Sequence, residues 1–149
     1  MIIACICTGN TCRSPMLAAL LERELAQRGL DADHQVVSAG VAARGGEPAN
    51  GFAVTCLAEH GIDLGRHVSR NVLDLDLAAI GLFLCMGSNH GHALLELGVA
   101  RERIMVVRGE AGGVGDPFGS DLATYRATAA VLTEVAREVA RTLQERSDG

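Results

Sequence analysis

The sequence predicts an α/β fold: one domain, built as a three-layer αβα sandwich around a four-stranded parallel twisted sheet. Three observations carry that expectation. Short apolar runs bounded by turn residues, as a strand buried on both faces requires, recur four times along the chain. Segments with helical spacing of apolar residues separate them. The resulting order, βαβαβαβα, returns each strand parallel to the last through right-handed crossovers and puts any ligand at the carboxyl ends of the strands, near the switch in strand order.

The first strand is "MIIACIC", Met1 to Cys7, which ends at Thr8 and Gly9. Met16, Leu17, Leu20, Leu21 and Leu25 then fall on one helical face, and Gly29 supplies the stop. "HQVVSAG", His34 to Gly40, is the second strand, "ANGFAVTCLAEHG", Ala49 to Gly61, the second helix, and "GLFLCM", Gly81 to Met86, the third strand. "HALLELG" offers a helical turn or two before the fourth strand "RIMVVR", Arg103 to Arg108. A long terminal helix of good helix formers runs from Asp121 to about Arg146. The only long irregular loop expected is "RGEAGGVGDPFG", Arg108 to Gly119.

Composition narrows the function. With 149 residues, 48% hydrophobic and 21% charged, the chain is long enough for one domain, residues 1–149, with a sizeable core. The apolar start lacks a basic flank and is short, so neither a secretory leader nor a membrane span is expected, and a cytoplasmic location is. Five cysteines, an odd number without framework spacing, fit a reducing compartment. A net charge of −5 argues against nucleic acid as a partner. All 13 basic residues are arginine, which excludes a Walker-type phosphate loop and a lysine Schiff base.

Chemistry concentrates in "CTGNTCRSPM", Cys7 to Met16. Ser14 followed by Pro15 reads as a helix start, with serine as N-cap and proline at the first helical position. The residues before it, Thr8, Gly9, Asn10, Thr11 and Cys12, then form a loop at a helix N-terminus, where backbone N–H groups and the helix dipole make an anion cradle. Gly9 is expected to permit the tight curvature. Arg13 adds a planar fork matched to two phosphoryl oxygens, and the same positive field favours a Cys7 thiolate able to attack the phosphorus.

This C-x5-R-S string, set between the first strand and the first helix, resembles the active-site loop of the low-molecular-weight protein tyrosine phosphatases. "DPFG", Asp116 to Gly119, matches that family's late "DP" motif, and "VSAG" (Val37 to Gly40), "HVSR" (His67 to Arg70) and "LFLCM" extend the likeness along the chain. The resemblance implies Cys7 as nucleophile, Arg13 as clamp, Ser14 as the hydroxyl that stabilises the departing thiolate, and Asp116 as acid and then base. It implies Asn10, Ser38 and His67 as the hydrogen-bond network behind the loop. The implied partners are phosphorylated proteins and phosphate-like anions; neither cofactor nor membrane enters, and a monomer is expected.

The remaining thiols read otherwise. Cys5, Cys56 and Cys85 lie in apolar runs and read as small buried hydrophobes. Cys5, Cys7 and Cys12 lack any C-x-x-C or paired-histidine half-site, so no metal is expected. Cys12, five residues after Cys7 on a curling loop, is the expected disulfide partner of an oxidised Cys7. A thioredoxin-coupled arsenate reductase shares a similar loop, but that family has glutamine where Pro15 stands and a further cysteine where this chain has His92, seven residues past Cys85.

Substrate class turns on two departures. Tyrosine-specific members carry a bulky aliphatic residue where Thr11 stands and two aromatic residues after "DP", where this chain has Phe118 and Gly119. With no tryptophan and a single tyrosine far along at Tyr125, a phenyl ring finds one stacking partner at most. Threonine at position 11 with "DPFG" resembles the bacterial protein arginine phosphatase branch, in which the scissile bond is P–N. The alternative is an ordinary tyrosine phosphatase in which Thr11 is neutral variation.

Overall fold

The computed structural model describes residues 1–149. Its sheet has four parallel strands in the order β2-β1-β3-β4, with β1 at Ile2–Cys7, β2 at Gln35–Gly40, β3 at Ile80–Cys85 and β4 at Ile104–Val106. The helices are α1 (Arg13–Gln27), α2 (Gly51–Glu59), α3 (Ser88–Glu96) and α4 (Leu122–Asp148). From β1 the chain steps to β2 on one side and then to β3 on the other, so the switch point lies at the carboxyl end of β1, where residues 8–12 follow.

β1 is central, and its residues Ile3 to Cys7 are buried, which is why they are almost all apolar. One face carries α1, α2 and α4 over a core that includes Ile3, Cys5, Met16, Leu17, Leu84 and Leu132. The opposite face carries α3 over a smaller core around Ala4, Ile6, Phe83, Cys85 and Leu94. The anticipated α1 face is buried in full, and α1 ends as Gly29 predicts: its φ of 71° lets the Leu30 N–H reach the Leu25 carbonyl at 2.8 Å. No helix is long and apolar enough to cross a membrane.

Four expectations need correction. Helix α1 begins at Arg13, with Cys12 as an N-cap that makes no side-chain capping bond; Ser14 is inside the helix because its hydroxyl is committed to Cys7. Pro15 still costs nothing, since the first-turn N–H groups have no intrahelical partner. β4 stops at Val106 because the chain turns at Arg108, whose φ is 51°. Helix α3 opens at Ser88, straight off β3, rather than near His92. The loop 108–119 is not the only long irregular stretch: residues 60–79 hold only short 3₁₀ turns at Val72–Asp74 and Leu77–Ala79 and two isolated bridges, Gly40 to Asn71 and Pro48 to Val68. That stretch has no sustained apolar period, so it runs across the carboxyl end of the sheet and delivers His67 and Arg70 to the loop after β1.

Candidate active site

The loop after β1 is held by Asn10. Its φ is 60°, so the left-handed conformation anticipated at Gly9 falls on Asn10 instead. Strain at a non-glycine residue persists only where the surroundings over-determine it, and here they do. Asn10 Nδ2 donates to Ser14 Oγ at 2.8 Å and to Ser38 Oγ at 3.0 Å, while Oδ1 accepts from the Arg70 N–H at 3.0 Å. His67 Nε2 donates to the Asn10 carbonyl at 2.7 Å, which fixes the protonated ring nitrogen, and burial lowers the His67 pKa and keeps the ring neutral. Every polar group of Asn10 is thereby used.

Gly40, at the end of β2, is where the loop needs the absence of a side chain. A Cβ there would lie 2.3 Å from the Thr8 carbonyl oxygen and 3.0 Å from the Asn10 nitrogen. The close approach lets the Ala42 N–H reach the Thr8 carbonyl at 3.0 Å.

Cys7 Sγ is 2.9 Å from Ser14 Oγ and accepts from the Asn10 N–H at 3.3 Å. Because Asn10 Nδ2 already donates to Ser14 Oγ, the serine hydrogen is directed at the sulfur, which therefore receives two donors. The backbone N–H groups of Thr8, Gly9, Thr11 and Cys12 donate to no backbone or side-chain acceptor in the chain. With the first turn of α1 they form a ring of free donors around Cys7, the arrangement that binds an oxyanion.

Arg13, 7% exposed, donates through Nη1 to the Val114 carbonyl at 2.9 Å, and its Nη2 lies 3.5 Å from the half-exposed Asp116 carboxylate. Asp116 Oδ1 also accepts from the Phe118 N–H at 3.1 Å, an Asx turn that sets the carboxylate's direction. The cleft between loop and acid has a volume of about 290 Å³ and is lined by Cys7, Thr8, Gly9, Asn10, Thr11, Cys12, Arg13, Ala42, Arg44, Glu47, Asp116 and Phe118. The largest hollow, about 690 Å³ around Met1, Asp33 and His34, lies at the amino end of the sheet, away from this chemistry.

Every residue singled out from the sequence is in this region: nine line the cleft, and Ser14, Ser38 and His67 stand behind it. Sequence reasoning missed others. Tyr125 is no distant residue, for its hydroxyl lies 3.2 Å from Cys12 Sγ and both groups are buried; burial raises the Cys12 thiol's pKa and the tyrosine's alike. Arg70 caps Asn10 Oδ1 through its backbone, and His90 on α3 meets Thr8 Oγ1 at 2.9 Å. Of these only Arg70 falls within a motif noted in the sequence, "HVSR", and nothing in the local pattern marked His90 or Tyr125. All five cysteines are free thiols, and Cys5, Cys56 and Cys85 are wholly buried as anticipated.

The sequence pattern of the family described as "Low molecular weight phosphotyrosine protein phosphatase" matches residues 2–148. The protein-arginine-phosphatase of Bacillus subtilis is 35% identical over 150 residues, covering 97% of this chain and 98% of that protein. Among solved structures, the YwlE arginine phosphatase, with its active-site cysteine replaced by a phosphorylated serine, superposes with a TM-score of 0.89 at 34% identity over 97% of this chain and 96% of that one. A low molecular weight protein tyrosine phosphatase from T. tengcongensis gives 0.88 at 32% identity, covering 95% of this chain and 99% of that one. A thiol supplied with two donors, an open ring of amides and a carboxylate across the cleft are what a phosphate-transferring cysteine needs, and over nearly its whole length the chain belongs to the low-molecular-weight phosphotyrosine protein phosphatase family, cysteine-dependent hydrolases of phosphate esters and related bonds.

Proposed function

We propose that residues 1–149 act as one phosphatase domain that removes phosphate from arginine side chains of proteins, through a phosphocysteine intermediate. In the first step Cys7 Sγ attacks phosphorus, the S–P bond forms, the P–N bond breaks, and Asp116 gives its proton to the departing guanidine nitrogen. The amides of residues 8–12 and the Arg13 fork hold the equatorial oxygens. In the second step Asp116 takes a proton from water, the water oxygen attacks phosphorus, and the S–P bond breaks. The thiolate leaves into the two hydrogen bonds from Ser14 and Asn10. Ser38 and His67 keep Asn10, and hence the loop, in shape.

The observation that carries the arginine reading is Thr11 in the cleft that Asp116 also lines, in a chain that is 35% identical to a protein-arginine-phosphatase over 97% of its length. A threonine there presents a small hydroxyl instead of an aliphatic wall, and the Asp116 carboxylate in the same cleft suits a guanidine leaving group. Phosphotyrosine is the second reading, favoured by Phe118, whose side chain is 70% exposed at the mouth. A cytoplasmic site of action is supported by the five free thiols.

The test is turnover of phosphoarginine and phosphotyrosine peptides of equal sequence by one preparation. The proposal expects kcat/KM to favour phosphoarginine by at least about tenfold. A preference for phosphotyrosine overturns it.

A further inference from the structure

We propose that His90 is a positioning residue, which through Nε2–H holds Thr8 Oγ1 and so turns the Thr8 hydroxyl hydrogen toward the phosphoryl group in the cradle. The inference rests on the phosphatase reading above and adds a donor to it.

His90 belongs to the first turn of α3, 1% exposed, and α3 leaves the carboxyl end of β3 next to that of β1. That adjacency brings two residues 82 positions apart to 2.9 Å between Nε2 and Thr8 Oγ1. The other ring nitrogen, Nδ1, is buried and has no hydrogen-bond partner. Two neutral tautomers therefore compete. If Thr8 donated to Nε2, the proton would sit on Nδ1, leaving a buried N–H orphaned, a rare and costly state. If Nε2 donates, Nδ1 is left as an unsatisfied acceptor, which is less rare in proteins than an orphaned N–H.

The second arrangement has a consequence at Thr8. A hydroxyl that accepts from His90 keeps its own hydrogen, and no acceptor in the chain takes it. Thr8 lines the cleft, and its carbonyl is tied to the Ala42 N–H at 3.0 Å, so the residue is held at both its carbonyl and its side chain. The free hydrogen then serves the anion beside the amides and Arg13. Burial, with Arg13 nearby, lowers the His90 pKa to about 4, so the ring is neutral near pH 7.

The experiment uses the whole chain with p-nitrophenyl phosphate as substrate and inorganic phosphate as competitive inhibitor. Variants are Thr8→Val, His90→Leu, their double, and His90→Gln, whose amide nitrogen reaches the Nε2 position. Thr8→Val and His90→Leu are each expected to weaken phosphate inhibition by about five- to tenfold, and the double variant no more than the worse single one. His90→Gln is expected to stay within about twofold of wild type, the rescue a merely space-filling role would not give. His90→Asn, which lacks reach to Thr8, gives the same comparison if leucine prevents folding. Multiplying effects in the double variant, or unchanged inhibition in His90→Leu and His90→Asn, overturn the proposal while leaving the phosphatase reading intact. Wild-type protein that neither hydrolyses the substrate nor binds phosphate overturns both.

Discussion

The Val114 carbonyl accepts a hydrogen bond from Arg13 Nη1 at 2.9 Å, which fastens the loop carrying Asp116 to the guanidinium that faces the cleft. The residues proposed as clamp and acid are thereby tied through one side chain, with the second terminal nitrogen 3.5 Å from the Asp116 carboxylate. In the proposed reaction a phosphoryl group would compete for that nitrogen and free the carboxylate to meet the leaving group.

Asp116→Ala should therefore lower kcat by about 10²-fold or more for leaving groups of high pKa and much less for good ones such as p-nitrophenolate, which depart unprotonated. A series of aryl phosphates measures this as a steeper dependence on leaving-group pKa. Equal losses across the series would leave Asp116 as a turn residue only.

Ser14→Ala removes the hydroxyl 2.9 Å from Cys7 Sγ and leaves Asn10 Nδ2 with one acceptor fewer. Loss of this donor should raise the energy of the leaving thiolate and slow breakdown of the phosphocysteine by at least about tenfold. Rapid mixing with p-nitrophenyl phosphate should show a burst of nitrophenolate followed by a slower steady state. A uniform fall in rate without a burst would remove Ser14 from the second step.

Thr11→Ile keeps the β-branch, so the loop should be little disturbed, but it replaces a hydroxyl with apolar bulk in the cleft. The expected result is lower kcat/KM for phosphoarginine and higher for phosphotyrosine, shifting the ratio at least about tenfold. Parallel changes in both would strip Thr11 of its selecting role.

Stability should fall with pH on the acid side in a way traceable to His90. Its pKa of about 4 in the fold lies below the ordinary 6.5, so between those values the unfolded chain binds more protons. The contribution is whole above pH 6.5 and is lost as pH falls toward 4, amounting to at most about 3 kcal/mol, with the lowered His67 adding in the same direction. Urea unfolding at pH 5 and 7 should show a smaller difference for His90→Gln than for wild type. Identical pH dependence in the two proteins would contradict the assignment.

Peroxide should inactivate the enzyme, with Cys7 oxidised to a sulfenic acid that condenses with the Cys12 thiol to a disulfide and water, and thiol reductants should restore activity. Cys12 lies under the Tyr125 hydroxyl and its burial raises the thiol pKa, so closure should be slower near neutrality than at alkaline pH. Peptide mapping of oxidised protein that lacks the Cys7 to Cys12 link would exclude this route.

What was legible in the sequence is what is local. The strand before Cys7, the spacing to Arg13 and Ser14, and the "DP" at Asp116 each depend on residues within one short segment. Gly9 drew the expectation of unusual backbone because glycine tolerates it most easily, yet Asn10 bears it, since tertiary bonds offset the strain. Ser14 read as an N-cap because serine usually is one; its hydroxyl serves a sulfur seven residues back instead. His90 and Tyr125 were invisible because their contacts exist only once β3 is paired beside β1 and α4 is packed against α1.

The ties on Asn10 also order events in time. Ser38, His67 and Arg70 lie 28, 57 and 60 residues along the chain from it, so three long closures must be made before the loop after β1 can hold its left-handed bend. The two donors to Cys7, Ser14 and the Asn10 N–H, are local, but the bend that aims the Asn10 N–H is held from β2 and the stretch around residue 70. The surroundings of Cys7 thus depend on distant parts of the chain and not on residues 7–14 alone.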